Sequence, residues 1–103
     1  MSSYFVVFGT DRPGMAEVRA RVRAQHREHL RRPSMHPVHV RLGGPTLARG
    51  TEAMNGTLLV IEADSIEDVE RFLNDDPYLR SGLFESIEIR QWIWGLGNPD
   101  ARV

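Results

Sequence analysis

The sequence predicts a small α+β domain, an antiparallel four-stranded sheet with two helices packed on one of its faces. Two stretches with helical spacing of apolar residues alternate with four strand-like ones, in the order strand, helix, strand, strand, helix, strand. The strand-like stretches are rich in aromatic and β-branched residues and end at glycine or polar turns, and 103 residues leave room for one core only.

The first strand is Tyr4–Gly9, "YFVVFG", followed by the turn "TDRPG". From Met15 to Arg32 the period changes. Met15, Val18, Val22, His26, His29 and Leu30 recur at steps of three and four, which is one helical stripe, and Pro33 closes the helix. Arg19, Arg21, Arg27, Glu28 and Arg31 are assigned to the other faces. "VHVRL" (38–42) alternates, with Val38, Val40 and Leu42 on one side, and a glycine-rich connection spans 43–56. "TLLVIEA" (57–63) is the third strand. Ser65 is placed to cap a second helix, whose first turn carries Glu67 and Asp68 where the dipole favours acids. Ile66, Val69, Phe72 and Leu73 form its stripe, and Pro77 ends it near Asp75 by disfavouring helical geometry at Asp76. An irregular "YLRSG" then leads to the fourth strand, "FESIEIRQWIW" (84–94).

This order is the ferredoxin-like βαββαβ plan. Residues 1–94 are expected to form that one domain and 95–103 a loose tail. An antiparallel sheet with one wet face should alternate cleanly, yet Tyr4 through Phe8 and Leu58 through Ile61 are apolar at both parities. Something must cover the second face, and a homodimer with sheets packed face to face is the economical answer.

Composition narrows the function classes. A net charge of −1 gives no reason to expect nucleic acid or an anionic membrane as partner. Cysteine is absent, excluding thiolate metal sites and a disulfide framework. All 13 basic residues are arginine. "MSSYFVVFG" reads as a strand rather than a signal peptide, and no apolar run reaches the roughly 20 residues of a membrane helix. A cytoplasmic protein is the expectation.

Candidate chemistry is confined to a few residues. His26 and His29 lie on the apolar stripe of the first helix, a spacing that can hold a metal. No carboxylate–histidine motif accompanies them, and His36 and His39 have opposite strand parity, so no metal site is expected. A lone histidine on such a stripe is commonly a hydrogen-bonded core-edge residue. Arg23, three residues before His26, could share an anion with it. Asp76 before Pro77 is a favoured turn arrangement in its own right, its side chain accepting from backbone amides two residues on. Asp75 is then a solvated neighbour, and Tyr78 a phenol packed beside the turn.

Several segments together resemble the YCII-related (YciI-like) family of dimeric α+β-barrel proteins. The most specific is Asp76-Pro77-Tyr78 with Gly82-Leu83-Phe84-Glu85 and Ile87-Glu88-Ile89-Arg90. Arg23-x-x-His26, Gly44-Pro45, Gly56 and "LLVIEADSIEDVERF" (58–72) support it. The resemblance implies that His26 and Asp76 form an active-site pair in a pocket near a dimer interface, with Arg23, Tyr78 and His29 as substrate-binding candidates. It further implies a cofactor-free lyase or isomerase acting on a small, possibly anionic metabolite, some relatives removing HCl from chlorinated hydroxyquinones. Two alternatives share the fold: a ligand-binding or interaction module without catalysis, and a cofactor-free monooxygenase or heme-binding relative. His29 stands where many members carry tyrosine and Gln91 where proline is usual, and the 43–56 connection is not typical, so the resemblance carries no substrate.

Overall fold

A computed structural model describes residues 2–33 and 35–98; the last five residues of the expected tail lie outside the described residues. The elements are β1 (Ser3–Asp11), α1 (Ala16–Arg31), β2 (Val38–Leu47), β3 (Met54–Ala63), α2 (Ile66–Asn74), α3 (Pro77–Arg80) and β4 (Phe84–Trp92). All pairings are antiparallel, in the order β2-β3-β1-β4. This is the ferredoxin-like fold. No helix among the described residues is long and apolar enough to cross a membrane.

The double parity of β1 and β3 divides as two faces must. Phe5 and Val7 with Leu59, Ile61 and Ala63 turn to the helices, and Val69, Phe72 and Leu73 of α2 complete that core. Tyr4, Val6 and Phe8 alternate with them and pair in register with Glu62, Val60 and Leu58 on the opposite face. Ser65 caps α2 as its sequence position requires, accepting from the Asp68 amide at 3.2 Å.

Four expectations are corrected. The 43–56 connection is mostly strand: β2 runs to Leu47 and β3 begins at Met54, leaving residues 48–53 as the turn. Gly43 makes this pairing possible beneath α1, since a Cβ there would lie 2.8 Å from the Leu59 side chain. Val38 and Val40 face the helices, but the pairing register shifts between Val40 and Leu42, and Leu42 emerges on the far face, 51% exposed. The "YLRSG" stretch contains a helical turn, α3, with Pro77 at its first position, where a missing N–H costs nothing. Finally, Arg19 is buried, at 4% exposure.

A second apolar cluster joins α1 to α3: Val22, Tyr78 and Leu83, with Met15, Val18 and Phe84 around them. Phe84 lies against Gly9, where a Cβ would sit 2.7 Å from its ring, so glycine in β1 admits the aromatic that packs on Tyr78. This cluster sets the distance between His26 on α1 and the α2–α3 junction.

Candidate active site

The site forms where the third turn of α1 meets the start of α3. Asp76 is the N-cap of α3, and its Oδ1 accepts from the Tyr78 amide at 2.9 Å. That is the turn chemistry Asp-Pro predicts, and it leaves the carboxylate aimed at α1. His26 Nδ1 meets Asp76 Oδ1 at 2.8 Å and Oδ2 at 3.0 Å. With Nδ1–H donating to the carboxylate, the tautomer is fixed and Nε2 keeps its lone pair. Both residues are buried, 5% and 2% exposed. Among the described residues Nε2 has no hydrogen-bond partner.

The Tyr78 ring stacks on the imidazole, with centroids 3.8 Å apart and planes at 16°, and Phe84 meets Tyr78 edge-on. Arg19 closes the other end. Its Nε and Nη2 donate to Asp11 at 2.7 and 2.8 Å, Nη2 also donates to Thr57 Oγ1 at 2.9 Å, and the guanidinium lies 4.7 Å from the Tyr78 centroid. Burial works against the Arg19 charge, but the hydrogen bonds and charge of Asp11 outweigh it and raise the pKa. Burial also raises the Tyr78 pKa, against the pull of Arg19 and Arg23, so the phenol stays protonated at neutral pH and can donate.

A cavity of about 110 Å³ opens beside these groups, bordered by Arg19, Arg23, His26 and Tyr78, with Thr57 and Gly43–Pro45 from the sheet. Four of the five residues singled out from the sequence thus converge: His26, Asp76, Tyr78 and Arg23. His29 does not join them. Its Nε2 contacts the Phe72 carbonyl at 2.8 Å and its ring stacks on Phe72. Asp75 binds His36 at 2.6 Å and Arg80 at 2.8 Å, and these contacts, His36 first, hold its carboxyl below the usual range. His29, His36 and Asp75 together tie the end of α1 and the segment before β2 to the C-terminus of α2. Among the described residues no three histidine, aspartate or glutamate side chains gather as a metal site would need.

Sequence reasoning missed Arg19, Asp11 and Thr57. The signal for Arg19 was its spacing, since seven residues before His26 is two helical turns along the same face.

Comparison with solved structures finds 5-chloro-2-hydroxyhydroquinone dehydrochlorinase (TftG) of Burkholderia phenoliruptrix, in complex with 2,5-dihydroxybenzoquinone. It is 33% identical, with a TM-score of 0.77, over 87% of this chain and 93% of that one. A dimeric protein of unknown function and ferredoxin-like fold from Bacteroides fragilis is 20% identical (TM-score 0.55, 88% and 94% covered). SnoaB, a cofactor-independent oxygenase from Streptomyces nogalater, is 15% identical (TM-score 0.53, 96% and 98% covered). The last two likenesses concern the fold alone. Comparison with curated proteins finds no match. A family model for the YCII-related domain matches residues 3–93, and the chain belongs to the YCII-related family.

Proposed function

We propose that the chain is a small-molecule enzyme of lyase or isomerase type that works by proton transfer through His26. The observation that carries this reading is a buried imidazole bonded to Asp76 through Nδ1, with Nε2 unpartnered in a residue bordering a cavity. Nε2 takes a proton from a carbon next to a carbonyl, and Asp76 stabilises the resulting imidazolium. The C–H electron pair forms an enolate. That enolate either expels a leaving group as an anion, or is reprotonated at another carbon by His26. Arg23 and the Tyr78 hydroxyl bind the anionic ring or carboxylate of the substrate. The dehydrochlorinase relative favours a hydroxyquinone as the first compound to assay.

The test is NMR titration of His26 in the wild type and in Asp76→Asn, with 2,5-dihydroxybenzoquinone added to each. Asp76→Asn is expected to move the His26 titration curve, and the quinone to perturb His26 in the wild type. A His26 titration indifferent to the substitution removes the pair. Quinone binding without it would make the chain a ligand-binding module.

We also propose that two copies pack through the sheet face away from the helices. Phe8 is 45% and Leu42 51% exposed there, beside Tyr4, Val6 and Leu58, an apolar surface of the kind that marks an interaction site. Phe8→Asp is expected to give a folded monomer in sedimentation runs where the wild type sediments as a dimer. A monomeric wild type at micromolar concentration refutes the interface.

A further inference from the structure

Beside the cavity lies a buried cation that the proton transfer above does not use. Arg19 commits Nε and Nη2 to Asp11 and Thr57. A guanidinium has five N–H donors, and the pair on Nη1 meets no carboxylate or carbonyl among the described residues. The Tyr78 phenol lies beneath the guanidinium and its hydroxyl accepts a further side-chain hydrogen bond from Arg19, which leaves one Nη1 donor over. Arg19 also borders the cavity that His26 borders. A cation clamped on one edge by a bidentate carboxylate, with a donor to spare beside a cavity, is pre-organised to meet charge as it develops and needs no rearrangement to do so.

We propose that Arg19 is a catalytic residue, whose Nη1 hydrogen-bonds the substrate oxygen on which negative charge builds as His26 takes the proton. This rests on the proton-transfer reading and extends it to a substrate class: carbonyl compounds and hydroxyquinones that enolise toward Arg19. When the proton passes to His26 Nε2, the C–H pair becomes a C=C bond and the carbonyl π pair moves onto oxygen, facing Arg19. Return of that pair re-forms the carbonyl while a leaving group departs with its bonding pair, or while another carbon takes the proton back. No electrons are gained or lost overall. Asp11 is then a positioning residue, fixing the guanidinium, and Thr57 holds its edge.

Ionisation of bound 4-nitrophenol tests this without turnover, because the yellow anion mimics an enolate and its absorbance reports its own ionisation. In the wild type the bound phenol is expected to ionise about one pH unit below the free compound, the scale of one charge-assisted hydrogen bond. The Asp11→Leu/Arg19→Met double variant should lose most of that shift, Arg23→Gln less, and Arg19→Lys, which keeps the charge without the fork, should retain part. The Arg19 side-chain NMR signals of the wild type must also move on binding, a readout independent of any variant's folding. Ionisation at the solution pH, no binding at millimolar concentration, a stationary Arg19 signal, or a double variant with the whole shift each overturns the assignment. His26→Gln separates the two readings: it should leave the nitrophenol shift in place while slowing turnover by about 10²–10⁴-fold. Failure of the Arg19 arms alone leaves the His26 reading standing.

Discussion

Under the proposed proton-transfer function, glutamine in place of His26 is expected to slow turnover of an enolisable substrate by about 10²–10⁴-fold, the range for one positioned proton-transfer group. That corresponds to roughly 3–5 kcal/mol of barrier. The fall should lie in the turnover number, with KM nearly unchanged, because glutamine leaves the cavity and Arg23 in place. Glutamine also offers Asp76 a donor, so the buried carboxylate is not orphaned and the fold should survive. Asp76→Asn should give a loss of similar order by a different route. Its amide oxygen can still cap α3 through the Tyr78 amide, but the imidazolium loses its counter-charge. Asp76→Ala should add a loss of about 0.5–2 kcal/mol in stability, because the cap goes as well. The double variant His26→Gln/Asp76→Asn should be little slower than either single one, since two residues acting as a unit cannot be lost twice. Additive losses would show that the two residues do not act as a unit, and a His26→Gln variant with wild-type turnover would show that the histidine does no proton transfer.

The pairing of His26 with Asp76 was legible through the family resemblance and not from the residues alone. Pro77 marked Asp76 as a turn and cap residue and the apolar stripe turned His26 toward the core, but neither feature says that the two side chains meet. The fold class followed from the order of helical and strand periods, while apolar residues at both parities of β1 and β3 spoke of two covered faces and not of which strands are central. Three things did not follow. The shift at Arg41 that turns Leu42 outward adds one residue to β2 without disturbing its alternating pattern, so nothing in "VHVRL" announces it. His29 lies on the same stripe as His26, but one turn nearer the end of α1 it meets the Phe72 carbonyl instead of a cavity. Arg19 was placed off the apolar stripe, because arginine is mostly found on exposed faces. Its burial depends on Asp11, which the sequence offers only as one letter of a turn. A buried charge is legible only when both partners are, and these come from different elements.

That pair produces the larger stability effect. Arg19→Met alone is expected to destabilise the fold by about 3–5 kcal/mol, measured as a lower urea midpoint with an unchanged slope, because Asp11 keeps its charge with no partner. The Asp11 and Arg19 side chains are 8% and 5% exposed, so water cannot step in for the missing guanidinium. Asp11→Leu alone should cost a comparable amount, leaving a buried guanidinium with only the Thr57 and Tyr78 hydroxyls and the Tyr78 ring, none of them charged. The double variant Asp11→Leu/Arg19→Met should recover most of what either single one loses. Taking both charges out of water offsets much of their attraction, and an apolar pair of similar volume forgoes both effects. The sign of the coupling decides what the pair is for. Two single losses that cancel in the double variant mean the ion pair adds little net stability, so its presence beside the cavity points to binding rather than folding. Two losses that add mean the pair holds β1 to α1 through contacts each residue makes alone, and Arg19 is then a structural residue. Nitrophenol binding by the recovered double variant, read with its urea midpoint, separates the two roles in one protein sample.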